Sequence, residues 1–217
     1  MFNKLQIISG EFRGKKLLLP PFAKATGGKP LARPTQARAR LGVMNILAGL
    51  DVPPGATFWD AFAGSGAFGA EFLSRFPDSR AIFTDINPAT AAANTKIFGA
   101  RARIVQGDAI SQIPKFATDA DIVFIDPPFA DAALGAKFLE KFMAAARPGA
   151  IAILEYDPSL AEGSQSAKRD AGEGQKCTDR NYNPPPAAKI AADPSAREGL
   201  ITTRKYGRAW FSFYRKT

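Results

Sequence analysis

The 217-residue chain is 46% hydrophobic and has the length of one domain, or of one domain with an appendage. It contains no histidine and a single cysteine, Cys177, which excludes Ser–His–Asp triads, histidine metal sites, imidazole bases and an internal disulfide. Its net charge of +9 is divided unevenly: +8 over residues 1–45, −4 over 46–196 and +5 over 197–217. Basic ends around an acidic middle suit a polyanionic partner, most simply nucleic acid. No apolar run approaches a membrane span, and the opening "MFNKLQIISG" lacks the long apolar core of a signal peptide, so a cytoplasmic location is expected.

In chain order, "LQIISGEFRGKKLLLP" alternates and carries turn glycines, which predicts a small β-ribbon. "RPTQARARLGVMNILAGL" reads as a helix entered at Pro34-Thr35, with Ala39, Val43, Ile46 and Leu47 on its apolar face and Arg38 toward its polar side. From residue 56 strand and helix patterns alternate. "TFWDAF" (57–62) is a strand, followed by a glycine loop and the helical "AFGAEFLSRF". "AIFTDI" (81–86) and "RARIVQGD" (101–108) are strands on either side of the helical "PATAAANTKIFG". "DIVFIDPP" is the fourth strand, 131–146 a helix and "GAIAILEYD" (149–157) the fifth strand. Strands separated by single helices imply right-handed βαβ units and a parallel sheet covered on both faces. "LITTRKYG" and "RAWFSFYRK" then form an antiparallel hairpin turning at Gly207. Residues 157–196, rich in Pro, Gly, Ser, Ala and charge, read as a disordered or loosely packed insertion, and Cys177 within it as an incidental thiol.

Gly64, Gly66 and Gly69 in "DAFAGSGAFGAE" satisfy G-x-G-x-x-G between a strand and a helix, and Asp85 follows where a ribose-binding acid belongs. Dinucleotide enzymes and S-adenosylmethionine enzymes share this geometry. Asp60 separates them. A carboxylate leading into the loop repels a pyrophosphate but attracts an ammonium and a sulfonium. Asp108 adds a third acid at the edge where open α/β sheets bind ligands. The bland alternative makes these acids helix caps or solvated strand ends.

Asp126-Pro127-Pro128-Phe129 closes the fourth strand at the same edge. The Asp126 carboxylate and the Pro127 carbonyl can accept the N–H groups of a planar amine and aim its lone pair at a methyl donor. The prolines stiffen the turn and remove competing N–H groups, and Phe129 offers a face for stacking a base. This is the [DNS]-P-P-[YFW] pattern of amino-methyltransferases that act on nucleic acid bases. With "IISGEFRGKKLLLP", "RPTQARARLGVMNIL", "DAFAGSGAFGAEFLSR", "DIVFIDPPF" and "RKYGRAWFSFYRK" in order, the chain resembles the bacterial 16S ribosomal RNA guanine-N2 methyltransferase family, apart from about residues 157–196.

The resemblance implies an α/β fold: a class I methyltransferase, Rossmann-like, doubly wound and mostly parallel seven-stranded sheet. A C-terminal antiparallel hairpin and a small N-terminal β-ribbon and helix extension complete it, with an extension over 1–50 and a methyltransferase domain over 51–217. It implies S-adenosyl-L-methionine as cofactor, held by Asp60, Phe62, Ala63, Gly64, Gly66, Asp85, Ile86, Asp108 and Ala109. Asp126, Pro127, Pro128 and Phe129 hold the guanine. Arg13, Lys15, Arg33, Thr35 and Arg38 contact RNA. The expected partner is ribosomal RNA or the small ribosomal subunit, the expected state a monomer, and no metal is implied. Ala37 and Leu41 depart from the Asp and Glu usual in the family. A DNA or other RNA amino-methyltransferase remains the nearest alternative. A nicotinamide-dependent oxidoreductase and a non-catalytic RNA-binding module are more distant.

Overall fold

The computed structural model describes residues 5–19, 34–128, 132–157 and 199–217. Each apolar run of the middle of the chain becomes a strand: β1 (Thr57–Asp60), β2 (Arg80–Asp85), β3 (Ala102–Gln106), β4 (Ile122–Ile125) and β5 (Ile151–Tyr156). β6 (Leu200–Tyr206) and β7 (Ala209–Arg215) form the final hairpin. The seven strands lie in the order β3-β2-β1-β4-β5-β7-β6. Those from β1 to β5 pair in parallel, and β7 runs antiparallel to both β5 and β6. This is the doubly wound sheet with a terminal antiparallel hairpin that the sequence predicts. Gly207, at φ 66°, supplies the left-handed residue that a tight hairpin turn requires.

Successive strand residues face opposite sides of the sheet, so each strand feeds two cores. On one side Phe58, Phe83, Phe124, Ile153, Phe211 and Phe213 pack with residues of α1 (Pro34–Ala48) and α2 (Ala67–Arg75). On the other, Trp59, Val123, Ile125, Ala152 and Leu154 meet Phe138, Leu139 and Phe142 of the helix that follows β4. The chain leaves β1 toward β2 and β3, then returns to β4 on the opposite flank. That reversal opens a crevice at the carboxyl ends of β1 and β4.

The helix expected over 88–99 is divided. α3 (Ala89–Thr95) gives way to a 3-10 turn (Lys96–Arg101), which Gly99 kinks with φ 55°. Between β3 and β4 the chain also forms a short 3-10 turn (Ile110–Gln112) and α4 (Ile113–Phe116), too brief for a periodic signal. α5 (Ala132–Ala145) follows β4 as predicted.

The N-terminal ribbon exists as an antiparallel bridge between Gln6 and Lys16. Leu5, Ile7 and Leu17 are buried in the same core as Ala39, Val43, Met44 and Leu47 of α1, while Ile46 is half-buried and Arg38 exposed. What ties ribbon and helix to the sheet is polar. Glu71 of α2 is fully buried, and its carboxylate accepts the N–H of Ile8 at 2.9 Å and both the N–H and the hydroxyl of Ser9 at 2.7 Å. Arg40 of α1 lies 4.0 Å from the same carboxylate and donates to the Gln6 carbonyl at 3.1 Å. Gly10 lets the ribbon turn against the end of α2, since a Cβ there would stand 1.9 Å from the Ser74 carbonyl oxygen. The insertion expected over 157–196 lies outside the described residues apart from Asp157. No described helix is long and apolar enough to cross a membrane.

Removing one partner of a buried charged cluster costs far more than removing a surface pair. Glu71→Gln is therefore expected to lower the free energy of unfolding by about 3 kcal/mol in urea titrations. A loss within the error of the extrapolation contradicts the role given to Glu71.

Candidate active site

β1 delivers Asp60 to the crevice. The side chain is only 2% exposed, and its Oδ2 accepts the Gly69 N–H at 3.1 Å, in the first turn of α2. Each glycine of the loop has its own reason. Gly64 adopts φ 51°, and the direction in which a Cβ would project is open space, so backbone here can meet a ligand. Gly66, at φ 72°, turns the chain into α2. At Gly69 a Cβ would stand 2.3 Å from the Phe83 ring, so this glycine lets helix and strand pack closely.

Asp85 ends β2 and fastens the loop: its two oxygens accept the N–H groups of Gly64 at 2.7 Å and Asn87 at 2.8 Å. Each carboxylate oxygen keeps a further lone pair for a hydroxyl. Ile86 beside it is 75% exposed, an apolar face left open at the sheet edge. Asp108 is exposed and caps the next turn through the Ser111 N–H at 2.9 Å, while Ala109 is buried. Ala63 is held by its N–H to the Thr84 carbonyl. Phe62 is half-buried, its ring edge-on to Phe138 at 5.5 Å.

A cavity of about 230 Å³ joins these parts to the fourth strand. Asp60, Phe62, Ala63 and Gly64 line it together with Asp126 and Glu155. Arg40 of α1 and Leu5 and Leu19 of the ribbon form its opposite wall. Asp60, Asp126 and Glu155 share one face of the sheet with Phe58, Phe124 and Ile153, which is why three acids converge. Pro127 is half-buried beside α5, close enough to Gly135 that a Cβ there would meet its ring at 3.0 Å, and Pro128 is exposed. Phe129 and Arg33 lie outside the described residues, as does the side chain of Thr35.

The structure thus brings the loop, Asp60 and Asp126 together and sets Asp85, Ile86, Asp108 and Ala109 along the adjoining strand ends. It does not bring Arg13 or Lys15 to the cavity. The ribbon turn lies against Ser74, at the far end of α2 from the glycine loop, and both side chains are exposed there, as Arg38 is on α1. Three residues that sequence reasoning passed over matter here: Arg40, Glu71 and Glu155. Arg40 stands three and seven positions before Val43 and Leu47, hence on the buried side of α1. Glu155 follows Ile151 and Ile153 in the alternation of β5, hence on the inner face. Both patterns were available to the periodicity argument.

Burial dominates the electrostatics. It pushes the Asp60 carboxyl up to about 7, with Asp126 and Asp85 adding to the rise and the Gly69 N–H opposing it. Burial likewise pushes Asp126 up to about 7. Glu155 is held well above the usual carboxylate range by burial and by Asp126, against the pull of Arg40. Among the described residues no ion pair compensates Asp60 or Asp126. A cationic ligand would supply what the protein lacks.

The family described as "Conserved hypothetical protein 95" matches residues 5–176. The chain belongs to this family. "Ribosomal RNA small subunit methyltransferase D" of Escherichia coli K12 is 36% identical over 131 residues, which cover 58% of this chain and 61% of that protein. The match therefore spans less than two thirds of that relative's length. "4-amino-L-phenylalanine/4-methylamino-L-phenylalanine methyltransferase" of Streptomyces pristinaespiralis is 32% identical over 103 residues, 47% of this chain and 31% of that one. Among solved structures, the putative methyltransferase YhhF of Escherichia coli covers 98% of both chains at 25% identity, with a TM-score of 0.65. The fold is that of the class I methyltransferases.

A carboxyl whose folded value is raised stabilises the fold below its ordinary titration and loses that contribution as pH rises through the folded value. For Asp60 and Asp126 that window runs from the ordinary value of 3.8 to about 7. Ligand-free protein is expected to lose on the order of 1 kcal/mol per pH unit between pH 5.5 and 7 from these groups. Asp60→Asn should flatten the dependence in urea titrations, and an unchanged slope would show that Asp60 does not carry the effect.

Proposed function

We propose that this chain transfers a methyl group from S-adenosylmethionine to the exocyclic N2 amine of a guanine in small-subunit ribosomal RNA. The observation that carries the reading is the single cavity in which the glycine loop, buried Asp60 and Asp126 meet. The E. coli relative named for small-subunit ribosomal RNA methylation supports it, as do the basic ends of the chain.

The donor fits the residues present. Asp60, buried without a counter-charge among the described residues, and the open face of Gly64 suit its amino acid end. Asp85 suits the ribose hydroxyls, and exposed Ile86, with Asp108 and Ala109 beyond it, suits the adenine. When bound, S-adenosylmethionine supplies an electrophilic methyl group on a sulfonium and leaves as a neutral thioether. The protein's share is placement and proton handling. The Asp126 carboxylate and the Pro127 carbonyl accept the two N–H groups of the guanine amine and turn its lone pair toward the methyl carbon. The amine sheds a proton as the new C–N bond forms, and a carboxyl titrating at about 7 is matched to take it up. Phe129 stacks on the flipped base. Exposed Arg13, Lys15 and Arg38, with Arg33 and Thr35, contact the RNA backbone. The enzyme works as a monomer on ribosomal RNA or the small subunit, in the cytoplasm.

Two other readings meet specific obstacles. A nicotinamide dinucleotide would set its pyrophosphate beside Asp60, Asp126 and Glu155, with only Arg40 to offset three acids. An aromatic amino acid substrate, as named for the Streptomyces relative, leaves the +8 and +5 charge of the two ends without a purpose.

The test offers naked small-subunit RNA, assembled small subunits and DNA in parallel with labelled S-adenosylmethionine. Label is expected in ribosomal RNA or subunits and not in DNA. Asp126→Ala should reduce transfer by about a hundredfold or more, in keeping with loss of an acid–base and orienting group. Retained transfer in that variant would sink the role given to the turn.

A further inference from the structure

β4 and β5 pair in parallel, and their last rung joins Ile125 to Leu154. One residue beyond it, Asp126 and Glu155 stand side by side on the inner face, on strands about 4.8 Å apart. Both open into the cavity that also holds Asp60 and the glycine loop. Glu155 has one more methylene than Asp126, so its carboxylate reaches further from the sheet. Arg40 of α1 lines the same cavity, anchored on Gln6 and beside Glu71, and its charge acts on Glu155. Arg40 is 4% exposed, and its Nε–H, 4.0 Å from the Glu71 carboxylate, has no hydrogen-bond partner among the described residues.

These groups form an ordered set: an acceptor pair at Asp126 and Pro127, a further acceptor at Glu155 and a donor at Arg40. The Watson–Crick edge of guanine presents the complement, with N–H groups at N2 and N1 and an acceptor at O6. Adenine presents an amine and a bare N1 lone pair, which a carboxylate repels. We infer that Glu155 accepts the N1–H of the target guanine while Arg40 donates to its O6, so that this pair selects guanine over other bases carrying an amine. The inference rests on the proposed guanine N2 activity and deepens it. The burial that holds Glu155 above the usual carboxylate range is eased on complex formation by the N1–H, by Arg40 and by the cationic donor. Selection arises because a site built to pair buried polar groups penalises a ligand that leaves them unpaired.

The test uses small-subunit RNA ligated so that the methylated position, once mapped, carries either guanosine or 2-aminopurine riboside. The analogue keeps the N2 amine, makes N1 an acceptor and lacks O6. The wild-type protein is expected to favour guanosine by about ten- to a hundredfold in kcat/KM, the range of one well-paired base edge. Glu155→Gln, whose amide can donate to N1, should lower transfer to guanosine, raise transfer to 2-aminopurine and bring the ratio below about tenfold. A structural role for Glu155 predicts instead that both rates fall together with the ratio unchanged, which would overturn the inference. Equal wild-type transfer to both nucleosides overturns it without any variant, which keeps the test decisive should Glu155→Gln fold poorly. Wild-type protein that labels no guanosine in ribosomal RNA defeats the proposed function itself, and the inference with it.

Discussion

Three carboxylates, Asp60, Asp126 and Glu155, enter one cavity that Arg40 alone answers with a positive charge among its described lining residues. Burying a charge is costly unless it is paired, and these groups respond by holding protons to higher pH than carboxyls in water. A fold keeps such an arrangement when something cationic and rich in N–H groups completes it. S-adenosylmethionine and the edge of guanine are such a pair. The same acids that weaken the empty protein at neutral pH thereby become its means of selecting ligands.

The cavity depends on parts far from it in sequence. Glu71 anchors Ile8 and Ser9 and stands beside Arg40, so one buried carboxylate sets the ribbon and the α1 arginine together. Tyr206 of β6 lies against Gly42 of α1, where a Cβ would be 2.0 Å from its hydroxyl oxygen. Between them, α2 and the terminal hairpin clamp α1 over the carboxyl ends of β4 and β5. The basic N-terminal segment is thus a wall of the site as well as a source of positive charge. Of its exposed cations, Arg13 and Lys15 lie at the other end of α2, where they can reach only a ligand much larger than a nucleotide.

The succession of strands along the chain and the glycine loop were legible because each rests on a local pattern: apolar runs, turn glycines, and an acid at a strand end. Asp60, Asp85 and Asp126 declared themselves in the same way. The end of α3 at Thr95 shows where that reading stopped: the 3-10 turn over Lys96–Arg101 continues the helical pattern, and no residue type marks the change. Arg40 and Glu155 sat on readable periodic faces and were missed because charged residues are not expected to point inward. Glu71 was beyond reach, since its hydrogen-bond partners, the N–H groups of Ile8 and Ser9 and the Ser9 hydroxyl, lie more than sixty positions away in an irregular ribbon.

The central claim concerns the atom that receives the methyl group. Small-subunit ribosomal RNA incubated with the protein and S-adenosylmethionine, then digested to nucleosides and resolved by mass spectrometry, reports that atom directly. The account predicts 2-methylguanosine rising toward a single site per RNA, with no other methylated nucleoside gained. N6-methyladenosine in its place, or RNA that gains no methyl group, would contradict it.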